Sequence, residues 1–262
     1  MNPAGRVVVI TGASSGIGAA AAHAFAAAGA TVVLAARSVA ALEQLAASLP
    51  HRALALPTDV SDPQQAQALI AQTIALRGRV DILINNAGIG LAGPIAELTA
   101  SDMERILAVD LFGPLYTIQA AVPVMRRQGR GHIINVSSVL GLQALPYLGG
   151  YAAAKAALDR MTEALRMELR GSGIAVTLVR PGTTQTRFSA HRLGRGSEHR
   201  RSETVGVAPA LVAQTLVAAA QREPREAYVT RADRIRLWLA SLAPGLTEMA
   251  LARAFQWKSA DK

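Results

Sequence analysis

The chain has no cysteine among its 262 residues, which excludes disulfides, thiolate metal sites and a cysteine nucleophile. Its histidines (His23, His51, His132, His191 and His199) are scattered and form no ligand pattern, so no metal is expected. Long apolar runs are missing too. The amino-terminal run ends after Val7 to Ile10, too short for the core of a signal peptide, and the other apolar stretches break off before the roughly 20 residues that a membrane span requires. A cytoplasmic protein is expected, with neither membrane nor nucleic acid as its partner.

Acidic residues are also in short supply: 18 Asp and Glu against 27 Lys and Arg, a net charge of +9. From Arg187 onward basic residues outnumber acidic ones 13 to 7, whereas the preceding 186 residues carry 14 against 11. The basicity is therefore mostly carboxy-terminal. It reads first as a solvated arginine surface and second as an anion-binding patch. From residue 231 onward the aromatics are only Trp238, Phe255 and Trp257, too few and too buriable for base stacking. The segment "RIRLWLASLAPGLTEMALARAF" (234–255) has an apolar face flanked by arginines, suited to core or oligomer packing, or alternatively to an anionic lipid surface.

What is present is a regular alternation. Residues 6–11, 31–36, 52–57, 80–85, 132–137 and 174–179 are short, continuously apolar and rich in β-branched residues, the pattern of strands buried on both faces. Helix-length segments lie between them, at 16–28, 38–48, 62–76, 101–128 and 151–170. This order predicts an α/β fold, a doubly wound parallel sheet of the Rossmann type, in one domain spanning 1–262. Residues 186–207, polar and arginine-rich, read as a mobile loop or short flap over a substrate. After it come an amphipathic helix, a possible seventh strand in "EAYVT", and a helical extension over 231–262 broken at Pro244-Gly245.

The first strand runs into "TGASSGIG" (11–18) and then into a helix. In that setting Gly12 permits a tight turn, Gly16 a close approach of backbone to a pyrophosphate and Gly18 close helix packing. The N–H groups of Ser14, Ser15, Gly16 and Ile17 surround the helix start, where an anion binds. The spacing T-G-x-x-x-G-x-G resembles the glycine motif of the short-chain dehydrogenases/reductases. The resemblance extends through "NNAG" (85–88), "NVSS" (135–138), Tyr151-x-x-x-Lys155 and "RPGTTQT" (180–186), over roughly residues 6–230. It implies a nicotinamide cofactor held by the glycine loop, by Asp59 and Val60, by Asn86, Ala87 and Gly88, by Tyr151 and Lys155, and by Pro181, Gly182, Thr184 and Thr186. Asp59 reads equally well as a cap of the helix after it. Ala36 stands where a carboxylate would bind a ribose 2′-hydroxyl, and Arg37 follows it; a guanidinium suits a 2′-phosphate, so NADP is favoured over NAD, although Arg37 also fits a plain surface role.

Tyr151 and Lys155 are four apart in a helical segment and so share a face. A phenol with an ordinary pKa of ~10 is a poor base at neutral pH, and a neighbouring ammonium favours its ionised form. The family resemblance makes Tyr151 the general acid/base, Ser138 the hydrogen-bond partner of the substrate oxygen, and Lys155 a holder of the nicotinamide ribose. It places Asp110 where most members carry an asparagine that supports a proton-relay water, so Asp110 is a departure within the expected set Ser138, Tyr151, Lys155 and Asp110. Val139, Leu140, Leu142, Leu145, Tyr147 and Leu91 are expected to border an apolar ketone or secondary alcohol, with Arg187, His191, Arg192 and Arg195 either contacting an acidic group or facing solvent. By analogy the chain is expected to be a homodimer or homotetramer joined through 101–128 and 151–170. The competing readings are a catalytically weak NADP-binding regulatory module and a reductase attached to a membrane surface by its basic carboxy-terminal helices.

Overall fold

The computed structural model describes residues 1–50, 53–194 and 206–255. The apolar runs become seven parallel strands: β1 Val7–Thr11, β2 Thr31–Ala36, β3 Leu54–Pro57, β4 Ile82–Asn85, β5 Gly131–Val136, β6 Ile174–Arg180 and β7 Glu226–Tyr228. Their order in the sheet is β3-β2-β1-β4-β5-β6-β7. Successive side chains on a strand point to opposite faces. Val8 and Ile10 therefore pack with Phe25 of α1 (Gly16–Ala27) and Leu216 of α7 (Pro209–Arg222), while Val7 and Val9 pack with Leu69 of α3 (Pro63–Arg77) and Ile118 of α5 (Gly113–Arg127). Helices cover both faces, so the central strands are apolar throughout rather than alternating.

The remaining helices are α2 (Val39–Ser48), α4 (Ala100–Leu107), α6 (Gly149–Glu168), α8 (Arg231–Leu242) and α9 (Pro244–Ala254). Between β1 and β4 the winding reverses direction, which opens a crevice beyond the carboxyl ends of the strands.

Three expectations need correction. The single helix expected over 101–128 is two, α4 and α5, joined by a wider π-helical turn at Ala108–Phe112 that contains Asp110; such turns insert a residue and re-aim the side chains around it. The whole stretch Ala100–Arg127 is in addition long and apolar enough to cross a bilayer by length and composition, contrary to the reading of interrupted runs. Here Thr117, Ile118, Ala121 and Met125 are buried, with the apolar three packed in the core beneath the sheet. The helix expected over 151–170 begins at Gly149, placing Tyr151 in its first turn. The middle of the expected flap, 195–205, lies outside the described residues. Its flanks are held by bridges from Leu193 to Leu91 and from Val207 to Thr184.

Candidate active site

The glycine loop is shaped by close approach more than by freedom alone. Gly12 has φ +65°, and a Cβ there would lie 2.7 Å from Ala87 Cα; one on Gly18 would lie 2.1 Å from the Gly12 carbonyl oxygen. Neither position accepts a side chain. Asn86 ties the second motif to the first: its amide donates to the Thr11 carbonyl at 2.9 Å, and the N–H groups of Asn86 and Ala87 both donate to Thr11 Oγ1. At the start of α1 the N-cap Ser15 makes no side-chain hydrogen bond, and no acidic residue occupies the first turn. The helix end thus keeps N–H groups and positive dipole for an outside anion.

This loop forms one side of a cleft of about 880 Å³ at the sheet's carboxyl edge. Every residue assigned from sequence to the dinucleotide lines it except Gly18, which stands behind the loop. Arg37 is exposed at one end. The helix-capping role open to Asp59 falls instead to Asp62, which accepts from Gln64 N and Gln65 N, while Asp59 accepts from Ser61 and borders the cleft. Gly182 also leaves room for a neighbour within the protein, since a Cβ there would lie 2.7 Å from Asp233 Oδ2 on α8.

At the other end α6 lies against the end of β5 through a graded series of contacts. Thr162 accepts from Asn135 Nδ2 at 2.9 Å, Asp159 accepts from Ser137 Oγ at 2.5 Å, Lys155 donates to the Val136 carbonyl at 3.2 Å, and Ser138 hydrogen-bonds Tyr151. Residues 151, 155, 159 and 162 follow helical spacing, so one face of α6 docks on one strand end and fixes the hydroxyls of Ser138 and Tyr151 together. The π-helical turn then brings in Asp110. Its carboxylate is fully buried, with Oδ2 3.0 Å from Lys155 Nζ and Oδ1 accepting from Ile89 N at 2.8 Å.

The electrostatics differ from the simple expectation of an acidified phenol. Burial pushes Tyr151 above its ordinary value; the Lys155 charge and the Ser138 hydrogen bond pull it down, while Asp110 pushes it up again. Burial also pulls the Lys155 ammonium down, but Asp110, Tyr151 and Asp159 together outweigh that and leave Lys155 raised. Asp110 is itself raised by burial against the pull of Lys155. The phenol is therefore held protonated at neutral pH, first by its burial and then by the Asp110 anion, which offsets part of the pull of Lys155.

Leu140, Leu145 and Tyr147 line the cleft as expected, and Ile89, Phe188 and Phe255 line it in addition. Val139 and Leu91 are instead core residues, and Leu142 is exposed, outside the lining. Arg187 and Arg192 border the cleft; Arg195 and the side chain of His191 lie outside the described residues. Phe188, whose ring meets the Tyr151 ring edge-on at 5.7 Å, carried no sequence signal because it sits in a polar loop. Also unforeseen is a buried cluster beneath the site. Arg180 at the end of β6 pairs with Asp159 and, at 3.3 Å, with Glu226. Among the described residues no group of side chains can hold a metal ion.

Similarity to known proteins agrees with this geometry. The family model for short chain dehydrogenase matches residues 6–194. The chain is 36% identical over 256 residues to "Dehydrogenase/reductase SDR family protein 7-like" of Anopheles gambiae, covering 92% of this chain and 80% of the relative. A short chain dehydrogenase/reductase from Burkholderia phymatum in complex with NAD superposes with a TM-score of 0.88 at 28% identity, over 95% of this chain and 97% of that one. An alcohol dehydrogenase from Thermococcus sibiricus complexed with 5-hydroxy-NADP superposes with a TM-score of 0.75, again at 28% identity, over 85% and 94%. With the family model covering most of its length, the chain belongs to the short-chain dehydrogenase/reductase family.

Proposed function

We propose that the protein is an NADP-dependent oxidoreductase interconverting a carbonyl and a hydroxyl on an apolar small molecule, with Tyr151 as general acid/base. The observation that carries this reading is the meeting of Tyr151, Ser138 and Lys155 at the far end of a cleft whose near end is the uncapped glycine-loop helix. A bound nicotinamide dinucleotide supplies or accepts the hydride. The residues fit it: Gly12 and Gly18 leave backbone where side chains cannot stand, and the α1 terminus suits a pyrophosphate. In the reducing direction Ser138 holds the carbonyl oxygen and Tyr151 delivers its proton there. The buried, protonated phenol is in the form that task requires.

Arg37 supports NADP over NAD, since Ala36 beside it offers no carboxylate and a guanidinium binds a phosphate through paired hydrogen bonds. Relatives complexed with either dinucleotide leave the preference to this residue. The test is titration with NADPH and NADH, then turnover of a carbonyl panel. The wild type is expected to bind NADPH the more tightly, and Arg37→Asp to weaken NADPH by roughly 10- to 100-fold, the worth of a charge-assisted hydrogen bond, while sparing NADH. Equal affinities in the wild type would remove Arg37 from this role.

Asp110 gives a second measurable consequence. Its negative charge raises the Tyr151 phenol, so the neutral Asp110→Asn variant has a more acidic phenol. Alcohol oxidation needs the ionised phenol and rises with pH through its titration. The rising limb of kcat/KM for oxidation is therefore expected at lower pH in Asp110→Asn than in the wild type. A limb that stays in place would mean that the Asp110 charge does not reach the phenol.

A further inference from the structure

Beside the active-site cleft lies a separate groove of about 590 Å³, between the loop after β5 and the pair α8 and α9. The two spaces share walls. Leu140 and Leu145, just past Ser138, line both. Opposite them, Thr247 and Leu251 of α9 line the groove, whereas Ala254 and Phe255 at its end line the cleft. Offsets of four, seven and eight residues lie on one side of a helix, so a single face of α9 runs from the groove to the cleft that Tyr151 also lines. The groove's far wall is α8, where Ile235 and Leu239 remain 56% and 54% exposed. Among the described residues lining it the one cation is Arg236, paired with Asp233. A volume in the range of small-molecule sites, a greasy lining and two walls shared with the active-site cleft describe a place for hydrocarbon.

We propose that the substrate carries a long apolar tail, which runs from the carbonyl at Tyr151 and Ser138 along α9 into the groove walled by Ile235 and Leu239. This rests on the oxidoreductase reading and narrows its substrate class. Each methylene moved fully out of water is worth about fourfold in binding. The length of the tail then decides kcat/KM.

The experiment compares butan-2-one with dodecan-2-one, using NADPH and the full chain. In the wild type kcat/KM is expected to be at least 100-fold higher for the longer ketone. In Ile235→Asp and Leu239→Asp, the ratio of long to short is expected to fall at least tenfold. A ratio is read so that a general loss of activity in either variant does not count. Binding is measured separately as the rise in Tm of the NADP-loaded protein with dodecan-2-ol against butan-2-ol, which both variants should lose.

A flat chain-length profile, or a ratio unchanged in both variants, overturns the proposal. So does a change of oligomeric state in Ile235→Asp with a flat profile, which would assign the face to contact between copies. If butan-2-one is reduced, Tyr151→Phe abolishes that reduction and the profile is flat, the oxidoreductase reading stands and the tail site falls. If neither ketone is turned over but the long alcohol alone raises Tm in the wild type and not in the variants, the tail site stands and the carbonyl chemistry falls.

Discussion

Replacing Tyr151 by phenylalanine is expected to lower kcat by about 10²- to 10⁴-fold, the contribution of a positioned general acid or base, while the Kd for the dinucleotide changes little. The substitution removes one oxygen. The ring keeps its edge-on contact with Phe188, and the Lys155 ammonium keeps its bonds to Asp110 and the Val136 carbonyl. Single-turnover reduction of an apolar ketone, with cofactor binding measured in parallel, separates the two effects. Retained turnover would remove the proposed acid from the reaction. A joint loss of binding and turnover would make the phenol a structural post rather than a proton donor.

The second large effect is on stability. Asp159→Ala is expected to destabilise the protein by about 3–5 kcal/mol, because it strands a buried guanidinium. For a chain of this size that is a fall in Tm on the order of 10 °C. Arg180 and Asp159 are fully buried, so water cannot replace the lost partner, and Glu226 alone is left to answer the cation. The paired substitution Asp159→Leu with Arg180→Met removes both charges and is expected to restore most of the loss. A double variant as unstable as the single one would show that packing, not charge balance, is what the cluster provides. Because Asp159 also accepts from Ser137, the single variant should lower kcat as well, through a loosened Ser138.

The division between what sequence and structure reveal follows from the range of the forces involved. Strands, helices and the glycine loop are local. Apolar runs bury on both faces, and the stretch from β1 through Gly12 to α1 is dictated by backbone sterics and a helix end within a few residues. For the same reason the four-residue step from Tyr151 to Lys155 was readable as a shared face before any coordinates.

Other features come from parts of the chain that only folding brings together. The cap on α3 went to Asp62 rather than Asp59, by a shift of three residues that composition does not reveal. The break at Ala108–Phe112 leaves no mark in an apolar helical pattern, yet it aims Asp110 at an ammonium 45 positions further along. The sign of the Tyr151 shift reversed chiefly through burial, with Asp110 adding to it. Spacing alone supplied the lysine, while burial and the opposing carboxylate act across tertiary contacts. Phe188 over the phenol, Arg180 beneath it and the strip of α9 joining cleft to groove belong to the same class. From the sequence alone come the sheet, the glycine turn and the face that Tyr151 and Lys155 share. Tertiary structure decided their electrostatic balance and the shape of the space they face, since desolvation and long-range charge depend on what the rest of the chain packs around each group.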